Sequence, residues 1–343
     1  MVDIIFNGID LLSIIKTSRH WLFLTCIWVF YYIPDKEIKK LIDYLLYALV
    51  IISVIMLIEF FLDIQILGKE IKTEYLTPGF LIERGSLPTI LLMFFLFLLF
   101  SKYYKFKRGT KYFYIAIFSA VLVTSIIRSW LFAGVIGTFL IFYLQEKFRF
   151  KYLFKAIIIT GVLMLVIFSS TITRERFTQG IEDVQSFNLT SSVHGNFSYR
   201  MLMAAERISY VLQSFQYEVF GIGNVTEYNF PNTFIVGLRD RSGRITQLDT
   251  GDIAWSLLFL RLGVFGTLIY LIFYTKILTT FYRLKLNNPI AVTTFTYLII
   301  NLAIISFASS DITSGWFWLF PLLMYYFITN KPNYENNGNN VSL

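Results

Sequence analysis

The residues best suited to chemistry are the arginines and carboxylates of segment 174–252. This segment holds seven arginines, nine aspartates or glutamates and no lysine. A planar guanidinium donates two parallel hydrogen bonds to one phosphate, which the ammonium group of lysine cannot do. The bias therefore indicates that several arginines face an anionic ligand. The alternative is that they only pair with the segment's own carboxylates. The seven are Arg174, Arg176, Arg200, Arg207, Arg239, Arg241 and Arg244.

Two of these arginines lie on a predicted helix. A helix is predicted over 198–219, with Ser198 as its cap and the glycines of 221–223 at its end. Arg200 and Arg207 are two turns apart on nearly the same face, with about 10 Å between their Cα atoms. Such a pair could span a pyrophosphate. Equally, Arg207 could do no more than bridge to a nearby acid.

Two carboxylates, Asp249 and Asp252, end the polar segment just before an apolar run that starts at Ile253. The dipole of a helix N-terminus stabilises anions, so a simple helix cap would explain them. The alternative is that one of them acts as a general base on a hydroxyl group. Arginines that bind an anionic leaving group would then lie close by, and Arg244 is near in the sequence.

Arg128 is the only charge in the apolar run from Tyr112 to Leu144. One helix of that length would measure about 50 Å against a hydrocarbon core of about 30 Å, so the run must fold back near Arg128. An arginine within the membrane costs roughly 3 kcal/mol and usually marks a functional site. A snorkelling arginine at a turn is the alternative. Arg84 also precedes an apolar run, but Glu83 is a ready partner for it.

The bulk composition indicates a membrane protein. Hydrophobic residues make up 56% of the 343 and charged residues 15%, whereas soluble domains carry roughly 25% charged residues. The net charge of +8 therefore reflects membrane sidedness and does not predict nucleic-acid binding. Cys26 is the only cysteine, and His20 and His194 are far apart, so no disulfide and no metal site is predicted.

The apolar runs predict an all-α polytopic membrane protein with about nine transmembrane helices, in a range of eight to ten, because one span needs about 20 mostly apolar residues. The chain divides into transmembrane helices in 1–173, one large, partly helical loop in 174–252, and transmembrane helices with a short tail in 253–343. The predicted spans are roughly 20–33, 38–62, 87–101, 112–127, 129–145, 152–173, 253–275, 289–308 and 312–329.

Lysine clusters fall on alternate connections between these spans. With that assignment, one side carries 13 lysines and 3 arginines, and the other carries 11 arginines and 3 lysines. Basic residues collect on the cytoplasmic side. The lysine-rich side is therefore predicted to be cytoplasmic and the 174–252 loop extracytoplasmic. The rule for basic residues does not explain an excess of arginine on the outer face. This excess again favours an anionic ligand there.

Several of these features, in this order, resemble the O-antigen ligase and Wzy-type polysaccharide polymerase superfamily, over most of the chain from Arg84 onward. An arginine and a glycine followed by a proline precede a span, an arginine–serine step joins paired helices, and a loop helix carrying an arginine ends in Gly-x-Gly. The residues are Arg84, Gly85 and Pro88; Ile127, Arg128 and Ser129; and Arg200, Gly221 and Gly223.

The most specific element of the resemblance is the step into the span after the loop. The ligase pattern has a His-Asn pair, then nine residues and a glycine. Here Asp252 and Ile253 precede nine residues and Gly263, with Gly266 following. The spacing fits, but Asp252 stands where ligases place histidine. This departure puts transfer onto lipid A core in doubt and favours a polymerase.

The resemblance implies an enzyme of the bacterial plasma membrane that uses neither metal nor cofactor. Similar proteins take a glycan from undecaprenyl pyrophosphate on the outer face and join it to another lipid-linked repeat unit. The implied partners are that lipid-linked glycan, the bilayer, and a flippase and a chain-length regulator of the same pathway. Here Asp252 or Asp249 would take the acceptor proton. The predicted pyrophosphate- and glycan-binding residues are Arg84, Arg128, Arg200, Arg207 and Arg244.

Two rival functions stay open. A transporter or flippase for lipid-linked sugars would also have many spans and arginines. Such proteins often show internal repeats and broken helices at the membrane midplane, and no self-similarity between the halves is evident in this sequence. A ligase for another acceptor is the second rival.

Overall fold

The computed structural model describes part of the chain. The described residues are 25, 27–30, 32–62, 64, 66, 72–77, 80–84, 89–125, 127–145, 196–223, 234–237, 248, 253–284 and 288–329. The predicted span 152–173 lies outside this part, as do Arg244, Asp249 and Asp252.

The described residues form mainly α-helices. A two-stranded hairpin and two 3-10 turns complete the elements. In chain order they are α1 Ile27–Phe30, α2 Asp35–Leu62, β1 Lys72–Thr77, β2 Phe80–Arg84, α3 Thr89–Phe100, α4 Arg108–Thr124, α5 Arg128–Gln145, α6 Asn196–Val211, α7 Phe215–Phe220, α8 Ala254–Leu284, α9 Pro289–Ala303, 3-10 turns Ile305–Phe307 and Asp311–Thr313, and α10 Gly315–Thr329.

Four stretches in the described part are long and apolar enough to cross a membrane. They are α2, α5, α8 and α9 with its 3-10 extension, Pro289–Phe307. Two shorter apolar helices, Leu91–Phe100 and Gly315–Thr329, accompany them. This confirms the coarser part of the fold prediction, a mostly helical chain with several helices of membrane-crossing length. The count of nine stays a prediction.

Within the described residues, one short antiparallel hairpin differs from the predicted all-α fold. Strand β1 pairs with β2 so that Lys72 lies opposite Arg84. Pro78 and Gly79, typical turn residues, separate the two strands in the sequence. Arg84 therefore ends a strand, a few residues before α3 begins at Thr89.

The apolar run around Arg128 forms two helices, as its length predicts. Helix α4 ends at Thr124, and α5 begins at Arg128. The Ser125 hydroxyl donates a hydrogen bond to the carbonyl of Leu122 at 2.7 Å. Its backbone N–H donates to Val121, which closes the end of α4. The predicted fold-back at Arg128 is confirmed as a break between two helices.

Helix α3 lies at the centre of the main core. Its residues 92–99 are all buried, as expected for a helix that is apolar on every face. The Phe94 ring meets those of Tyr297 and Phe320 edge-on, which joins α3 to α9 and α10. Gly137 of α5 faces the Phe97 ring so closely that a Cβ would overlap it.

Two of the lysine-rich segments lie at the same end of helices α2 and α3. Helices α3 and α5 run in the same direction, because Phe97 lies against Gly137 and Phe100 against Phe142. Just after α3, burial together with the negative charge of Asp43 in α2 raises the pKa of Tyr103 to about 12. The start of α2 is therefore near the end of α3. Lysines 36, 39 and 40 thus share one end with lysines 102, 105 and 107.

Candidate functional site

Helix α8 is broken at Gly263, close to its start. Gly263 has φ 62° and ψ −167°, a left-handed backbone conformation that glycine adopts without strain. The 21 residues that follow, up to Leu284, are about 30 Å long, enough to cross the hydrocarbon core. The break separates this length from the short first part of α8, Ala254 to Leu262.

The segment after α7 docks into that break through its backbone. The N–H of Ile222 donates to the carbonyl of Leu260 at 2.8 Å, and the N–H of Gly223 donates to the carbonyl of Arg261 at 3.0 Å. The Arg261 guanidinium returns a hydrogen bond to the carbonyl of Gly223 at 3.1 Å. Carbonyls near the helix break therefore find partners in the loop.

Only glycine fits on either side of this contact. A Cβ on Gly221 would lie 2.5 Å from the carbonyl carbon and oxygen of Arg261 and 2.6 Å from the nitrogen of Gly263. A Cβ on Gly263 would overlap the nitrogen of Gly221 and the carbonyl of Val219. Gly221 also has a positive φ of 70°. Gly221 of the Gly-x-Gly sequence and Gly263 of α8 thus meet in one backbone-to-backbone contact.

The predicted helix over 198–219 is wrong as one continuous helix. Helix α6 ends at Val211, and α7 begins at Phe215. Ser214 lies between them in an extended conformation, with φ −135° and ψ 128°, which a continuous helix does not allow. The split lets α6 and α7 each contact α8. The predicted end at the glycines is confirmed, because Gly221 caps α7.

A second, smaller core fastens the loop helices to the start of α8. Its members come from α6, from the docked segment, from the loop and from α8. They are Val211, Ile222, Phe234, Leu248 and Leu260, all buried, with Tyr210, Tyr217 and Phe259 packed against them. Leu248 directly precedes Asp249 in the chain, and Ile253 directly follows Asp252; both neighbours are buried. The chain is therefore packed on both sides of the predicted carboxylate pair.

Arg207 is completely buried at the centre of this region. Its guanidinium carbon lies 4.1 Å from the centroid of the Phe234 ring, and its Nη1 pairs with the carboxylate of Glu206. Glu206 also accepts hydrogen bonds from the backbone N–H groups of Ile235 and Val236. These contacts match the alternative in which Arg207 bridges to a nearby acid. They tie segment 234–237 to α6.

Replacement of Phe234 by leucine is expected to lower the free energy of unfolding by about 2 kcal/mol, because the cation–π contact with the buried Arg207 and the ring contact with Tyr210 are both lost. The measurement is thermal unfolding of the detergent-purified variant. Phe215→Leu is the matched control, since the Phe215 ring is 79% exposed and its replacement should leave the unfolding temperature unchanged. Equal effects of the two changes would show that the Arg207 contact contributes nothing.

The other predicted arginines lie at element ends. Arg200 is half-buried, in the first part of α6, and Arg128 is half-buried at the first residue of α5. The backbone of Arg84 ends β2. The structure thus brings Arg200 and Arg207 together on α6, and it fastens α6 beside the start of α8.

Two polar residues outside the predicted site set are Arg261, in α8, and Asp311, in a turn that contacts α8. Arg261 donates a hydrogen bond to the docked segment. Its position as a lone arginine near the start of an apolar run could have identified it from the sequence. Asp311 lies in the turn between α9 and α10, where burial raises the pKa of its carboxyl while a hydrogen bond from Ser309 opposes that shift. In the sequence, Asp311 lies in the short gap between predicted spans 289–308 and 312–329. An acidic residue between two spans could have identified it as a candidate site residue.

Comparisons with known proteins add no relative. No protein-family model matches the chain, and no curated protein matches it. Within the described residues, no group of three or more histidine, cysteine, aspartate or glutamate side chains is arranged to hold a metal ion.

Proposed function

We propose that this protein is a polymerase that joins lipid-linked oligosaccharide repeat units on the outer face of the bacterial plasma membrane. The donor is a glycan on undecaprenyl pyrophosphate. The observation that carries the proposal is the docking of Gly221–Gly223 into the break of α8. That contact holds the arginine helix α6 beside the start of α8, which begins two residues after Asp252.

The proposed reaction transfers the growing glycan from one lipid to the next repeat unit. The acceptor hydroxyl oxygen attacks the anomeric carbon of the donor, and the bond from that carbon to the pyrophosphate oxygen breaks. The electron pair leaves with undecaprenyl pyrophosphate, and Asp252 or Asp249 takes the hydroxyl proton. The sugar–pyrophosphate bond supplies the energy.

The arginines serve the leaving group in this proposal. Fixed guanidinium groups stabilise negative charge that develops as a bond to phosphate breaks. Arg128 and Arg200 are the main candidates, with Arg84 and Arg244 as further ones. Arg207 holds α6 and segment 234–237 in place, which fits its complete burial and its pairing with Glu206.

The alternative functions use the same lipid but make different products. A flippase would move the lipid-linked repeat across the bilayer without joining units. A ligase would transfer the glycan to another acceptor, and Asp252 in place of histidine disfavours this. The break in α8 does not favour transport over transfer, because the loop backbone fills it.

Purified protein incubated in detergent with a lipid-linked repeat unit should produce a ladder of longer glycans on a gel, together with free undecaprenyl pyrophosphate. Detergent removes the second compartment that flipping requires, so growth under these conditions identifies an enzyme. Protein that carries both Asp249→Asn and Asp252→Asn supplies the inactive control. The flippase would be established by a different result. Correctly folded protein would then leave the repeat unit unextended in detergent but move it across the bilayer of reconstituted vesicles.

A further inference from the structure

The connection between α9 and α10, residues 304–314, has a polar composition that its surroundings lack. It carries four serines, one threonine and one carboxylate between two apolar helices. Asp311 is partly buried and makes no ion pair with any residue of the described ranges. The Asp311 carboxyl accepts a hydrogen bond from Ser309, which leaves further acceptor sites on its two oxygens. Because the residue is only partly buried, a ligand can reach these sites.

Two buried polar atoms lie near this connection without hydrogen-bond partners in the described protein. They are the hydroxyl of Tyr297 and the amide oxygen of Asn301, and both residues are 1% exposed. They lie one turn apart on the same face of α9, in the helix that leads into this connection. The end of α9 therefore holds buried hydrogen-bonding capacity that the described protein contacts leave unused.

Exposed aromatic rings flank the polar turn. The side chain of Phe307 is 62% exposed and that of Trp316 is 53% exposed. The Trp255 ring contacts Phe307 with 6.3 Å between centroids, and its Nε1 donates to the Ser306 hydroxyl at 2.9 Å. Aromatic faces beside carboxylate and hydroxyl acceptors suit a ligand with apolar ring faces and many hydroxyl groups, such as a saccharide.

We propose that the α9–α10 connection is the subsite for the acceptor saccharide. Asp311 accepts a hydrogen bond from a sugar hydroxyl, and Trp316 and Phe307 pack against the sugar rings. The position fits, because Trp255 joins this connection to the start of α8, just after Asp252 in the chain. The assignment of the saccharide as acceptor rests on the proposed polymerase function. The existence of a saccharide site does not.

The test measures saccharide binding directly. The probe is oligosaccharide obtained by partial hydrolysis of the host's own surface polysaccharide, and the readout is saturation transfer from protein to sugar by NMR in lipid nanodiscs. Wild-type protein should transfer saturation to the sugar. Asp311→Asn should weaken binding by roughly tenfold to a hundredfold, as expected when a hydrogen bond to a charged group is lost. Trp316→Leu should weaken it by roughly twofold to tenfold, because an aromatic contact is lost. Asp35→Asn and Trp28→Leu are matched controls at exposed positions and should bind as wild type does.

The outcomes separate this proposal from the proposed function. Binding that depends on Asp311 and Trp316, in protein that never extends a lipid-linked repeat, would keep the saccharide site and remove the polymerase. Extension by wild-type protein, with equal binding and equal acceptor KM in Asp311→Asn, would keep the polymerase and overturn the subsite. Absence of binding by wild-type protein overturns the subsite. The subsite is also overturned if Trp316→Leu lowers stability but leaves saccharide binding unchanged, because the ring would then act as a bilayer anchor.

Discussion

Replacement of Arg128 or Arg200 by alanine, or of Asp252 by asparagine, is expected to lower the rate of glycan extension by a factor of about 100 or more. Removal of one preorganised donor to a developing negative charge typically costs about 100- to 1000-fold in rate. Loss of a general base costs about 100- to 10,000-fold. Arg→Lys variants should recover only part of the rate, because lysine keeps the charge without the paired hydrogen bonds.

The rates should be measured with purified protein and a lipid-linked repeat unit, and surface polysaccharide should be analysed on gels in a strain that depends on the gene. Arg283→Ala and Asp35→Asn are the matched controls, since both residues are exposed and neither belongs to the proposed site. Chains of normal length made by a site variant present at normal level would show that its residue is dispensable.

Replacement of Gly263 by alanine is expected to destabilise the protein by about 3 kcal/mol and to abolish glycan extension. The new Cβ would require a strained positive φ, which costs about 1–3 kcal/mol, and it would overlap the backbone of Gly221 and Val219. The loop segment would have to leave α8, so the arginines of α6 would lose their position. Thermal unfolding and extension rate measure the two effects.

Gly109→Ala is the control, because a Cβ at Gly109 would meet no atom within 4 Å. Gly221→Ala should reproduce the effect of Gly263→Ala, since both occupy the same contact. The double variant should be destabilised by less than the combined effect of the two single changes, because residues in contact do not act independently. Additive losses, or a stable and active Gly263→Ala protein, would mean that the loop does not depend on this docking.

The sequence predicted features that follow from length and hydrophobicity. The helices of membrane-crossing length and the break before Arg128 arise because a span has a fixed length that the apolar runs must match. The end of the loop helices at Gly221 was also predictable, since glycine favours such ends. These features are local, so local composition is enough to predict them.

The features missed in the sequence depend on contacts between distant segments. The turn at 212–214 divides a segment that has helical periodicity throughout, and it lets α6 and α7 each pack on α8. The burial of Arg207 against Phe234 joins residues far apart in the chain. Apart from the glycine itself, no residue near Gly263 indicates a helix break. The break accommodates the backbone of Ile222 and Gly223, which are distant in sequence.

The most direct test of the central claim is the affinity for undecaprenyl pyrophosphate, compared with undecaprenol, in nanodisc-reconstituted protein. We predict that wild-type protein strongly prefers the pyrophosphate, and that Arg128→Ala and Arg200→Ala each lose most of this preference while Arg283→Ala keeps it. Equal preference in all four proteins would contradict the claim that these guanidinium groups hold the diphosphate.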